Sequence, residues 1–284
     1  MGRVLWCTKS TNSLSIFGNR FSYDPVTIYA DIILIQNPQV FQLARRGLAP
    51  SQYAQLSLLF PYYLGMSFRS NTESTASLSS KIIAHRGSWM GEDRDEFEPN
   101  SWEAITRAAE FGFGLETDIR DIGLDIFIAH DPFQHETIQL STLVDIKFLG
   151  PLCLNVKSDG LASKLKNLKF ISEVFYFDMS VPELYKYLNY NLNAASRLSE
   201  FENQIFLGAD YLWVDGFSSD WWASEDKMQS IMKADKRVIF VSPELHQRPY
   251  QKTWAFLGAY MIKSENIFIC TDRPFELLEY LESL

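Results

Sequence analysis

The stretch Lys81–Trp102, KIIAHRGSWMGEDRDEFEPNSW, decides how this chain is read. A short apolar run, Ile82-Ile83-Ala84, ends in His85-Arg86-Gly87. A carboxylate-rich loop follows, and Asn100-Ser101 then opens a helical pattern. An apolar strand that hands a histidine and an arginine to its carboxyl end, and then turns into a helix, suits an α/β fold. The chain has only four histidines. A second one, His130, also closes an apolar run, Ile126-Phe127-Ile128-Ala129.

Seven further apolar runs follow this one at strand-like length: GLETDI (114–119), LCLNVK (152–157), EVFYFD (173–178), NAASRL (193–198), DYLWVD (210–215), RVIFVS (237–242) and NIFICT (266–271). Helical patterns lie between them. NSWEAITRAAEFG has Ser101 as its cap and Gly112 as its stop, and VPELYKYLN, SDWWASEDKMQSIMK and QKTWAFLGAYMIK follow the same logic. Nearly continuous apolar strands suit a parallel sheet covered on both faces. Eight such units predict a (β/α)₈ barrel of the TIM type over residues 81–284, with some helices short or missing. A doubly wound open sheet is the alternative, but no glycine-rich phosphate turn follows the first strand. DIGLDIFIAHDP reads as an extra hairpin that carries His130.

Upstream, RSNTESTASLSS (69–80) reads as a Ser/Thr-rich linker, and residues 1–80 as an N-terminal appendage without a chemical motif. Within it VTIYADIILIQ reads as a strand, and PQVFQLARRG and PSQYAQLSLLF as short helices. LSLLFPYYLGM (56–66) is too short to span a bilayer and is interrupted by Pro61. No secretory signal pattern is read at the start of the sequence.

The chain has 284 residues, 46% of them hydrophobic, and a formal net charge of -9. That is enough apolar material for a large core, and the negative surface disfavours nucleic acid and anionic lipid as partners. Cys7, Cys153 and Cys270 form neither a metal-ligand pattern nor a disulfide framework. Cys153 and Cys270 sit inside apolar runs, so for them buried small hydrophobes are the expectation, consistent with a reducing cytoplasm.

In a barrel the strand carboxyl ends build the active site. Here they carry His85 and Arg86, then Glu116 and Asp118, then Asn155 and Lys157, then Asp178, Asp215, Glu244 and Asp272. Glu116 and Asp118, two residues apart on one strand, share a face. Two converging carboxylates call for a hard divalent cation, Mg²⁺ or Ca²⁺. Histidines, an arginine and a lysine beside them suit a phosphate-containing small molecule.

AHRG, a helix opened by PNS, then LETDI, then IAHDP, resemble in that order the glycerophosphodiester phosphodiesterase family. The similarity continues through LNVK, FYFD and ICTDRP. The resemblance implies a metal-dependent barrel that cleaves phosphodiesters. It implies that His85 and His130 are the catalytic pair, that Arg86 and Lys157 contact the phosphate, and that Glu116 and Asp118 are metal ligands. Two departures stand out. Asn155 replaces the glutamate that the family has as third ligand, and the helix opening reads Glu98-Pro99-Asn100 rather than Pro-Glu-Asn. Asn155 as a neutral ligand, or Glu244 in VSPELHQR as a substitute carboxylate, would complete the site in a divergent member.

The competing reading is a decayed barrel used for binding or as a scaffold. His135 and His246 read as surface residues, and Trp213, Trp221 and Trp222 as core or rim aromatics. Asp159 and Asp178 are not counted in the site. GEDRDEFE reads as a solvated loop or a lid.

Overall fold

The computed structural model describes residues 15–16, 19–20, 77–88, 97–132 and 137–284. The expected N-terminal strand and helices, most of the Ser/Thr-rich linker, Cys7, His135 and nearly all of GEDRDEFE lie outside the described residues. The chain divides into two units, Met1–Arg69 and Ser70–Leu284. In the first, β1 (Ser15–Ile16) pairs antiparallel with β2 (Asn19–Arg20).

The second unit is a mixed α/β assembly around one ten-stranded sheet. In chain order its elements are β3 (Ile82–His85), α1 (Trp102–Glu110), β4 (Gly114–Ile122), β5 (Asp125–Ile128), β6 (Ile138–Gln139) and β7 (Leu152–Val156). Then come α2 (Ala162–Leu165), β8 (Val174–Phe177), α3 (Val181–Asn189), β9 (Ala195–Leu198) and β10 (Tyr211–Val214). The series ends with α4 (Glu225–Met232), β11 (Arg237–Val241), α5 (Gln251–Met261), β12 (Ile267–Thr271) and α6 (Pro274–Glu282).

Each of the eight apolar runs forms a strand, and those strands run parallel. Pairings run β10–β11–β12–β3–β4–β7–β8 on one side and β10–β9 on the other. Between β8 and β9 stands a single parallel bridge, Tyr176 with Ala194. There the Tyr176 N–H donates to the Asn193 carbonyl at 3.0 Å. The expected hairpin is β5, antiparallel to β4, with the short β6 beyond it.

Side chains alternate across a strand, so each strand feeds two cores. One face packs under the helices: α1 contributes Ala104, Ile105 and Ala108, and α6 contributes Phe275, Leu277, Leu278 and Leu281. The opposite faces pack on one another through a separate cluster that includes Phe175, Phe177, Tyr211, Trp213, Ile239 and Phe268. Within it Phe175 stacks on Tyr211 at 4.3 Å and Phe177 on Trp213 at 3.9 Å. Cys153 and Cys270 belong to this cluster, and their free thiols are pushed up by burial.

Helix boundaries follow local chemistry. The Ser101 hydroxyl caps α1 by accepting from the Ala104 N–H at 3.2 Å, and Pro274 opens α6 at a position that needs no N–H donor. One expectation is corrected. SDWWASEDKMQSIMK is helical only from Glu225, because Ser224 in extended backbone supplies the cap and the residues before it turn back on themselves. Trp222, read as a core or rim aromatic, is buried.

The turn after β3 depends on Gly87. Its φ is +89°, and a Cβ there would stand 2.7 Å from the Ala104 carbonyl carbon of α1. The next N–H, of Ser88, donates to the Ala104 carbonyl at 2.8 Å. Gly87→Ala is therefore expected to destabilise the chain by roughly 1–3 kcal/mol, through left-handed strain and overpacking together. Urea denaturation of the two proteins checks it; equal midpoints would show that the helix yields freely.

Candidate functional site

The residues that end the strands carry on the alternation of the inward cluster, but they are polar. His85 stands opposite Glu116 in the β3–β4 register, and Asp118 stands opposite Asn155 in the β4–β7 register. Glu116 and Asp118 are each 1% exposed. Buried carboxylates need partners, and both have them.

Asp118 is held by cations and amides. Arg86 Nε lies 3.2 Å from its Oδ2 and Lys157 Nζ 3.2 Å from its Oδ1. The Asn100 amide donates to Oδ2 at 2.9 Å, and Asn100 is itself oriented by the Thr117 hydroxyl at 2.7 Å. Burial works against the Asp118 charge, yet Lys157, Arg86 and Asn100 outweigh it and hold the carboxyl below its usual range. Glu116 goes the other way. Burial and the adjacent Asp118 charge push it up to about 7, against the pull of His85, Lys157 and Arg86. This splitting of two neighbouring carboxylates is what shared burial of like charges produces. Glu116 also accepts the backbone N–H of Arg86 at 3.2 Å, from a residue in the left-handed region at φ 56°.

His85 is fixed by a residue far away in the chain. Its Nδ1 lies 2.7 Å from Asp272 Oδ1, just past β12, and its Nε2 lies 3.8 Å from Glu116 Oε2. A carboxylate only accepts, so Nδ1 carries the proton and Nε2 faces Glu116. Burial disfavours a charge on the ring, but the Asp272 hydrogen bond and the Glu116 charge overcome it, and the His85 pKa is raised.

His130 stands on the same strand ends. The Ala129 N–H donates to the Asp118 carbonyl at 3.0 Å, and Arg120 Nη2 donates to the His130 carbonyl at 3.2 Å. The His130 Nδ1 meets Asp131 at 2.9 Å, and its ring favours the Asp118 charge. Sequence reasoning thus named a set of residues that the structure brings together: His85, Arg86, Glu116, Asp118, His130, Asn155 and Lys157.

Glu244 sits differently. It lies on a single 3₁₀ turn, Pro243–His246, and both of its oxygens are engaged, one by the Ser242 hydroxyl and one by the Thr271 hydroxyl. Thr271 in turn accepts the Arg273 N–H at 3.0 Å, which braces the turn that carries Asp272. Asp159 is likewise local, accepting the Ser180 hydroxyl at 2.7 Å at the start of α3.

The donor set fits a hard divalent cation. It consists of two carboxylates and an amide oxygen on adjacent strands. Asn155 Oδ1 is buried and accepts no hydrogen bond among the described residues, and Asp118 Oδ1 has the Lys157 ammonium at 3.2 Å. Among those residues no group of three or more His, Cys, Asp or Glu side chains is arranged to hold a metal, and the third donor here is the amide.

Two features went unread in the sequence. Asp178, in the left-handed region at φ 67°, pairs with Arg197 at 3.0 Å. Burial raises the Asp178 pKa, with Arg197 and Lys157 opposing. His246, expected on the surface, directs Nε2 to Asp215 at 2.7 Å, forming a second His–Asp pair. Each pair joins residues from different strands and the loops after them, a relation that periodicity along one element does not show.

The raised Glu116 pKa has a consequence for stability. Its folded-state carboxyl holds a proton more tightly than in the unfolded chain, so this contribution to folding is present below about pH 4.5 and is lost as pH rises through about 7. Glu116→Gln lacks that loss. In metal-free buffer the variant is expected to exceed the parent by on the order of 1–3 kcal/mol at pH 8, with the gap closing towards pH 4. Urea melts at several pH values check the slope; a gap that widens as pH falls would reverse the assignment.

No family model matches the chain, and no curated protein matches it. Among solved structures it is similar to a glycerophosphodiester phosphodiesterase from Parabacteroides distasonis. The identity is 19%, over 72% of this chain and 98% of that one, with a TM-score of 0.46. A likeness this distant assigns neither a family nor an activity.

Proposed function

We propose that the second unit is a phosphodiesterase of the glycerophosphodiester type, built on a closed (β/α)₈ barrel, acting on a small phosphodiester. One observation carries the chemistry. Two buried carboxylates, two histidines, an arginine and a lysine converge on adjoining strand ends, with one histidine locked by its own aspartate. Closure is supported by the unbroken parallel pairing and by the Tyr176–Ala194 bridge between β8 and β9. The motif order AHRG, LETDI, IAHDP supports the family. Two buried free thiols fit a cytoplasmic protein, and no helix among the described residues is long and apolar enough to cross a membrane.

Glu116, Asp118 and Asn155 would hold the cation, Mg²⁺ or Ca²⁺. When bound it supplies positive charge to a non-bridging phosphate oxygen and acidity to a nearby hydroxyl. The chain's own residues do the rest. His85 and His130 serve as general acid and base, one withdrawing the proton of the attacking hydroxyl and the other protonating the leaving alkoxide. Asp272 keeps the His85 ring in one tautomer and orientation. Arg86 and Lys157, now paired with Asp118, are placed to take charge from the phosphoryl oxygens as it develops. Glu244 braces the Asp272 turn in this reading and is not carried as a ligand.

A second reading is favoured by the same pairs. Arg86 and Lys157 already neutralise Asp118, which suits a barrel that binds an anion without cleaving it. Turnover of a phosphodiester panel by the full chain, with Mg²⁺, Mn²⁺ or Ca²⁺ and with chelator, separates the two. The enzyme reading expects hydrolysis that chelator abolishes and that His85→Ala lowers by about 10²-fold or more. Binding without turnover under every condition would establish the other reading.

Asn155 tests the metal assignment. Asn155→Glu adds a carboxylate to the donor set and is expected to tighten cation binding roughly tenfold, measured by calorimetry. If Asn155→Glu, Glu116→Gln and Asp118→Asn all leave the affinity unchanged, the cation is not held here.

A further inference from the structure

On the phosphodiesterase reading above, we propose that His246 determines substrate specificity. Its Nδ1 accepts a hydrogen bond from a hydroxyl on the alcohol side of the phosphodiester, and Phe217 packs against that alcohol's carbon chain.

The first support is position. Asp215 directly follows β10, at the same end of the parallel strands as the candidate site. A series of charged neighbours links it to the centre: Lys157 contacts Asp118 at 3.2 Å, Lys157 and Asp215 both act on Asp178, and Asp178 binds Arg197 at 3.0 Å. In strand order β4–β7–β8–β9–β10, the Asp215–His246 pair comes after the strand ends that carry Lys157 and Arg197, and on this proposal the part of a bound diester not attacked lies there.

The second support is a ring held in one tautomer. Asp215 is 8% exposed and lies 2.7 Å from His246 Nε2. The carboxylate accepts a hydrogen bond from Nε2–H, and in that tautomer Nδ1 is an acceptor. No described residue claims it.

The third support is a rigid wall. Phe217 meets the His246 ring at 5.3 Å, and Phe201 stands 6.0 Å beyond Phe217. The Phe217 loop is pinned by Glu200, which accepts the backbone N–H groups of Phe217, Ser218 and Ser219 at 3.1, 3.0 and 3.1 Å. Trp221 adds a hydrogen bond to the Asp215 carbonyl at 2.8 Å, and Arg248 binds Asp220 at 2.7 Å. A wall fixed before binding costs little to order around a ligand.

The ring's open acceptor selects the alcohol. Arg197 pairs with Asp178, and His246 hydrogen-bonds to Asp215. A hydroxyl satisfies Nδ1 as donor, and its carbon chain suits the aromatic wall. A site built to receive a hydroxyl discriminates against an analogue that lacks it, because the polar group of the site is then left unpaired.

Two probes test this: the diester of phosphoglycerol with glycerol, and the diester of phosphoglycerol with ethanol, which lacks the hydroxyls. The quantity read is the ratio of kcat/KM between them. The wild type is expected to favour the glyceryl diester about tenfold, one hydrogen bond's worth of discrimination. His246→Phe is expected to bring the ratio to within about twofold of 1, while His246→Gln, whose amide can still bond a hydroxyl, keeps most of it. A wild-type ratio near 1 overturns the proposal whatever the variants do, including a variant that does not fold. So does a parallel fall on both diesters with the ratio preserved, which marks a merely structural role. Absence of hydrolysis of either probe by the wild type overturns the phosphodiesterase reading itself, and this proposal with it.

Discussion

Two carboxylates on one strand, two residues apart and both out of contact with water, set the terms for everything around them. Glu116 and Asp118 are carried into the interior by the same alternation that carries apolar side chains inward elsewhere on the sheet. Beneath them lies an apolar and aromatic cluster with nothing to offer a charge. Compensation must come from above and beside, and it comes from Arg86, Lys157, His85 and Asn100. That requirement explains why the β3 turn takes a left-handed arginine followed by Gly87 against α1. The backbone is bent to bring one N–H to Glu116 and one guanidinium to Asp118.

The two carboxylates do not share the compensation equally. Lys157, Arg86 and the Asn100 amide all converge on Asp118, and Glu116 is left with a backbone N–H and the more distant His85 ring. One group is therefore held ionised, and its neighbour exchanges its proton close to physiological pH. A site prepared in this way costs stability while it stands empty of countercharge and recovers it when positive charge arrives. This is the behaviour expected where function and stability compete.

Much of this was legible in the sequence, for identifiable reasons. All eight strands were readable as apolar runs bounded by turn residues, because each is covered on both faces and leaves a dense local signal. Glu116 and Asp118 were readable because their relation is local, two residues on one strand. Asp272 as the partner of His85 was not readable, since the pair is 187 residues apart in sequence and meets only because β12 lies beside β3. His246 read as a surface residue because the relevant fact, Asp215 at 2.7 Å, joins two loop starts. Glu244 read as a spare carboxylate because a sequence does not show that Ser242 and Thr271 turn their hydroxyls onto it. The misplaced start of α4 has a similar origin. Paired tryptophans and acidic residues fit a helix pattern, but Trp222 is drawn into the core and Ser224 takes the cap.

The strand ends carry two histidines that are each fixed by an aspartate from a neighbouring strand, and the two pairs differ in what their free edge meets. His85 turns its second nitrogen towards Glu116, into the charged centre, where a proton can be exchanged with a reacting group. His246 meets the Phe217 ring and its own Asp215. On the proposed reading the same residue pair serves chemistry in one place and recognition in the other, and the surroundings decide which. Burial beside a second ionisable group makes a histidine an acid or a base. Anchoring beside a rigid apolar surface makes it a single oriented hydrogen-bond acceptor. The difference follows from strand order: β3 adjoins β4 with its buried carboxylates and β12 adjoins β3, whereas β10 and β11 lie further along the sheet.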